Sequence, residues 1–124
     1  MNYELLDKYI VHYVSDKSYG DYVDMHTHGL VENFNHKDIQ VVRLYRPQEA
    51  SVLFNMLVES ISKGTRYEPG VKYSDLHPAG DIIFIPCKEG NRVVLRMLIP
   101  DLPLGDISEG QTSFDPEVAH DSII

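Results

Sequence analysis

Apolar and polar positions divide this chain into short extended runs and one long helical stripe. Ala50, Leu53, Phe54, Leu57, Val58 and Ile61 recur three or four residues apart, the repeat of a single apolar face on an α-helix. Pro47 suits a first helical turn and Gly64 a left-handed stop, so the pattern predicts a helix over 47–63. Glu49, Glu59 and Lys63 fall on or near its wet side. Ile39 to Tyr45 reads as a central strand, apolar on both faces. Asp81 to Cys87 reads as a strand ended by Pro86. Lys88-Glu89-Gly90-Asn91 then turns the chain back into an antiparallel partner over Arg92 to Ile99.

Residues 3–14 carry two signals. Leu5, Leu6, Tyr9, Ile10, Tyr13 and Val14 have helical spacing, yet Tyr9 to Val14 is rich in β-branched and aromatic residues, which favour a strand. The two are reconciled by a short helix up to about Lys8 and a strand after it. Ser15 to Asp21 is a polar turn region, and Tyr22 to His28 is the expected hairpin partner. Residues 29–38 read as a loop, with Asn33, Asn35 and Asp38 as turn formers. Val71-Lys72-Tyr73 reads as a short strand.

The expected fold class is therefore α+β: a mainly antiparallel sheet of about five strands with one principal helix, 47–63, packed on a face. One helix does not shield such a sheet, so the N-terminal segment or a second subunit is expected to cover the rest, and a homodimer follows as an expectation.

Length and charge refine this picture. At 124 residues, 43% hydrophobic and 24% charged, the chain fits one soluble domain. The formal charge of -8 is unevenly placed: from Asp101 onward there are six acids and no Lys or Arg. The organisation expected is a single α+β domain over 1–105 and an acidic C-terminal arm or tail over 106–124. No basic stripe is available to neutralise phosphates, which disfavours nucleic acid and anionic membranes alike. Cys87 is the only cysteine, which excludes an intramolecular disulfide and a cysteine-based zinc site. Met1-Asn2-Tyr3-Glu4 lacks the basic and apolar regions of a signal peptide, and a cytoplasmic location is the default expectation.

The densest chemistry lies in Asp24-Met25-His26-Thr27-His28-Gly29. On an extended segment Asp24, His26 and His28 share one face. They form a candidate metal set, with His36 or His77 to complete it, for a divalent ion such as zinc. The plainer alternative is one hydrogen-bonded structural histidine and one at the surface. A second candidate is acid–base work by His28, His36 and Asp38, with Arg96 holding an anionic substrate group; its alternative is an Arg96 paired with Asp101 or Asp38 to support the fold. Cys87 has no signature of an activated nucleophile, and an inert thiol is expected.

Taken in order, His26-Thr27-His28-Gly29-Leu30, His36-Lys37-Asp38, Leu53-Phe54-Asn55-Met56-Leu57, Gly64 with Tyr67-Glu68-Pro69-Gly70, and Leu95 to Asp101 resemble the bacterial family called domain of unknown function 4262. The resemblance covers roughly residues 10–105. It departs at Lys37, where the family usually has proline after the histidine. It implies no activity and draws attention to His26, His28, Gly29, His36, Asp38, Gly64, Gly70, Arg96 and Asp101. Two functions follow as expectations: a non-catalytic module that binds a partner or small ligand, or a small hydrolase, metal-dependent or using His/Asp acid–base chemistry, built around the His-Thr-His-Gly segment.

Overall fold

A computed structural model describes residues 8–15, 23–43, 47–78, 80–100 and 111–112. The elements run β1 (Ile10–Ser15), β2 (Val23–His28), α1 (Leu30–Phe34), β3 (Ile39–Arg43), α2 (Pro47–Ser62), β4 (Lys72–Tyr73), β5 (Ile82–Glu89) and β6 (Arg92–Leu98). The strands form one six-stranded sheet in the order β1-β2-β3-β6-β5-β4.

The α+β expectation holds, but the sheet is mixed rather than mainly antiparallel. β3 and β6 lie side by side and run parallel, pairing Ile39 with Leu95 and Gln40 with Arg96. The reason lies in the composition of the two hairpin strands. Residues 94–98 of β6 are buried on both faces, which suits a central position. β5 carries Pro86, which has no N–H to give a neighbour on its outer side. The two-residue β4 pairs only with Ile82 and Ile83, so Pro86 lies beyond it and the strand continues through proline to Glu89.

α2 matches the apolar stripe closely. Ala50, Leu53, Phe54, Leu57, Val58 and Ile61 are all buried and join a core with Val23, Met25, Ile39, Val41, Ile82, Phe84, Leu95 and Met97. Gly64, at φ +106°, ends the helix, with its N–H on Ile61 O and the next N–H on Ser60 O. Alternation along the strands sends Val23 and Met25 to this helical side. Asp24, His26 and His28 point to the other side, with His12, Gln40 and Arg96. That second face is polar yet largely buried: Asp24, His26, Gln40 and Arg96 are each at most 3% exposed.

The expected loop over 29–38 contains the short helix α1. Leu30 anchors it by complete burial, and its N–H donates to Asp38 Oδ1 at 3.1 Å, a carboxylate at a helix start. Asn35 ends it in a left-handed conformation at φ +53°. The helix expected before Lys8 lies outside the described residues. So does most of the expected 106–124 arm, except that Gln111 is buried against the sheet. Its amide exchanges hydrogen bonds with Ile99 N and O at 2.9 and 2.8 Å. Among the described residues no helix is long and apolar enough to cross a membrane.

Gly29 joins β2 to α1 at φ +116°, and a Cβ there would stand 2.5 Å from Lys8 O. Gly64 shares the positive φ, but its Cβ would meet nothing within 4 Å. Gly29→Ala is therefore expected to destabilise by about 3 kcal/mol, and Gly64→Ala by about 1 kcal/mol. Urea unfolding of the two variants measures the difference, which isolates the backbone collision from the shared conformational strain.

Candidate metal centre on the polar face

The β1–β2 hairpin builds this site through its register. His12 stands directly opposite His26, and His28 follows two residues along β2 on the same side. The three rings crowd together edge to face. Their centroids are 5.5 Å apart for His12–His26, 4.3 Å for His12–His28 and 4.9 Å for His26–His28. One nitrogen from each lies within 4.8 Å of the others. His26 is buried, His28 half-buried and His12 exposed, so the cluster opens from the sheet interior toward solvent.

Each ring is held differently. His26 Nδ1 donates to Asp24 Oδ1 at 3.0 Å, and its Nε2 faces Glu89 Oε1 at 3.3 Å. A carboxylate on one ring nitrogen fixes the tautomer and leaves the other for a ligand, the usual second shell of a metal-binding histidine. His28 Nε2 lies 3.4 Å from Arg92 Nη2. Burial lowers the His28 pKa, helped by the Arg92 charge and the other two imidazoles and opposed by Glu89. Neutral imidazole is the form that binds a metal. An open groove of about 340 Å³, lined by Lys8, Tyr9, Ile10, His28, Gly29, Glu32 and Asn33, adjoins the cluster at His28.

Beyond the histidines the face carries a continuous polar chain. Asp24 Oδ1 also accepts from Gln40 Nε2 at 3.0 Å, Gln40 Oε1 accepts from Arg96 Nε at 2.8 Å, and Arg96 Nη1 donates to Gln111 O at 2.9 Å. On the other flank Arg92 donates to Glu89 through Nε, to Asp38 Oδ2 at 2.7 Å, and to Thr27 O at 2.9 Å. Asp38 Oδ1 accepts from Thr27 Oγ1 at 2.8 Å, and that hydroxyl accepts from Ile39 N at 3.0 Å. Buried polar groups are tolerable only when satisfied in this way.

The structure thus brings His26 and His28 together as the alternation implies, and sets Asp24 behind His26 on the nitrogen away from Glu89. His36, Asp38 and Arg96 do not meet the imidazole cluster as one set. Asp38 pairs with Arg92, and Arg96 with Gln40 and Gln111. His36 is held elsewhere: its Nδ1 donates to Lys37 O at 2.7 Å and its Nε2 accepts from Tyr67 N at 3.1 Å. His77 follows β4, at the opposite edge of the sheet from β1. Cys87 is half-buried on β5. The sequence reading missed His12, Glu89 and Arg92. Hairpin parity was the available signal for His12, because pairing it with an even-numbered residue of β2 puts it on the face of His26 and His28. Glu89 and Arg92 had no such signal, since a tight turn explains them equally well.

Comparison of the chain with protein-family models, with curated proteins and with solved structures found no match.

Two measurements follow from the polar contacts. Asp38→Asn removes the charge opposite Arg92 while keeping the shape. It is expected to cost about 3 kcal/mol in urea unfolding, the low end for breaking a buried pair, because Arg92 keeps some solvent. Burial holds the His36 pKa below its ordinary value of 6.5, with the charges of Arg66 and Lys37 in the same sense and Lys37 O and Glu68 opposing. The unfolded chain therefore takes up that proton first as pH falls. The His36 contribution is fully present above about pH 6.5 and is lost as pH drops through the lower folded value. In His36→Gln, whose amide oxygen still accepts from Tyr67 N, the fall in stability between pH 7 and 5 is expected to be shallower.

Proposed function

We propose that this protein is a module that binds one divalent transition-metal ion through His12, His26 and His28. The observation that carries this reading is the approach of one nitrogen from each of three imidazoles, on two paired strands, to within 4.8 Å. Tetrahedral sites of the zinc type take such nitrogen donors at about 2.0–2.1 Å, so loading would draw the three nitrogens closer together. The Asp24 carboxylate behind His26 supplies the support that such ligands ordinarily have. Kinship with the domain of unknown function 4262 is part of the same proposal. It rests on the ordered motifs alone and adds no chemistry.

A hydrolytic role is the second reading, favoured by the groove at His28. An ion with an open coordination position there would activate water beside a small molecule seated between Lys8, Tyr9 and Asn33. Of the acid–base set, only His28 borders that groove, so the binding module is the better supported.

Untagged protein titrated with zinc or cobalt in a calorimeter is expected to bind one equivalent. His12→Ala and His28→Ala are each expected to weaken binding at least tenfold, with Asp24→Asn weakening it by about 10-fold through His26. No heat and no retained metal in the folded wild-type protein would remove the proposal.

A further inference from the structure

Resting on that reading, we infer that Glu89 is the fourth ligand, so that the centre is a closed site of three histidines and one glutamate. Glu89 comes from the tip of the β5–β6 hairpin, and it reaches the histidines across the start of β3. Its Oε1 stands 3.3 Å from His26 Nε2. That is long for a charge-assisted hydrogen bond, which favours about 2.7–2.9 Å. It is the separation expected of two ligand atoms on one tetrahedral ion, since bonds of about 2.0–2.1 Å place neighbouring ligands about 3.3–3.4 Å apart. An ion between Nε2 and Oε1 would suit that pair as it stands, and His12 and His28 would close on it from their present positions.

The carboxylate is also held for this task. Its Oε2 accepts from Arg92 Nε, and Arg92 is fixed in turn by Asp38 Oδ2 and Thr27 O. Arg92 thus orients Glu89 with Oε1 turned toward the imidazoles, while Asp24 orients His26 with Nε2 turned toward Glu89. Two charged groups on separate hairpins aim one nitrogen and one oxygen at a shared point. The glutamate completes the donor set that the histidines leave at three. In this arrangement the ion also pins the β5–β6 tip to the β1–β2 hairpin, which the sheet order otherwise separates by β3.

Cobalt-loaded protein tests this, because its visible spectrum reports donor number and type, and the protons of its ligands show large hyperfine shifts. In the wild-type chain, carbon-13 labelling of glutamate is expected to give one strongly shifted glutamate side chain. Glu89→Gln is expected to remove that signal, change the d–d bands and weaken cobalt binding at least tenfold. Glu89→Asp, which keeps the charge with a shorter reach, is expected to fall between the two. If the wild-type protein binds cobalt with no shifted glutamate, Glu89 is not a ligand and this inference fails, while the three-histidine reading stands. A Glu89→Gln protein with unaltered affinity and spectrum overturns it equally. Failure of the wild-type protein to bind cobalt at all would instead count against the histidine cluster itself.

Discussion

The second face of the sheet depends on one buried carboxylate being fully satisfied. Asp38 is 1% exposed and stands just before β3, where β2, α1 and the tip of the β5–β6 hairpin converge. It accepts from Thr27 Oγ1, from Leu30 N and from Arg92. An unpaired charge at such depth would cost several kcal/mol. The burial is tolerable only if all three donors arrive together. Each donor belongs to a different part of the fold, so satisfying Asp38 sets the end of β2, the start of α1 and the orientation of Arg92 at once. Leu95 N, which donates to Asp38 O at 2.8 Å, ties the parallel partner to the same residue through its backbone.

From this point the rest of the polar face follows. Arg92, committed to Asp38, has Nε left for Glu89, and Glu89 then has an oxygen left for His26. His26 leans on Asp24, Asp24 on Gln40, and Gln40 on Arg96. The helical side of the sheet is ordinary apolar packing, which supplies most of the driving force and little specificity. The polar side contributes the reverse. Its members are cheap only in one arrangement, which is why the centre of this face, Asp24, His26, Gln40 and Arg96, is buried as deeply as the apolar core.

Much of this was legible in the chain, and the parts that were not share a cause. The α2 stripe, the Gly64 stop, the β5–β6 hairpin and the common side of His26 and His28 are local periodicities, fixed by 3.6 or two residues per repeat. The parallel pairing of β3 with β6 is not local. Nothing in either strand states its neighbour, and the hint in Pro86 becomes useful only once β4 is seen to be two residues long. The helix α1 hides because its first N–H is satisfied by Asp38, eight residues ahead of Leu30, rather than by a capping residue at its own start. Residues 29–38 therefore read as turn chemistry. Within the site, Asp24 and His26 are readable as neighbours, whereas Glu89 and Arg92 reach it from a hairpin tip more than sixty residues later. His36, although adjacent in the motif pattern, spends its two ring nitrogens on backbone groups of Lys37 and Tyr67.

The direct pairing of His12 with His26 across β1 and β2 has a further meaning for the way this hairpin closes. Successive residues of a strand face opposite ways, so a slip of one position would turn His12 toward the helical side and bring Tyr13 or Val11 into its place. The imidazole trio therefore exists in one alignment of the two strands and vanishes in the adjacent ones. An ion that favoured the trio would act as a proofreader of strand alignment, holding an otherwise exposed, uncharged border strand in the single setting that completes its coordination.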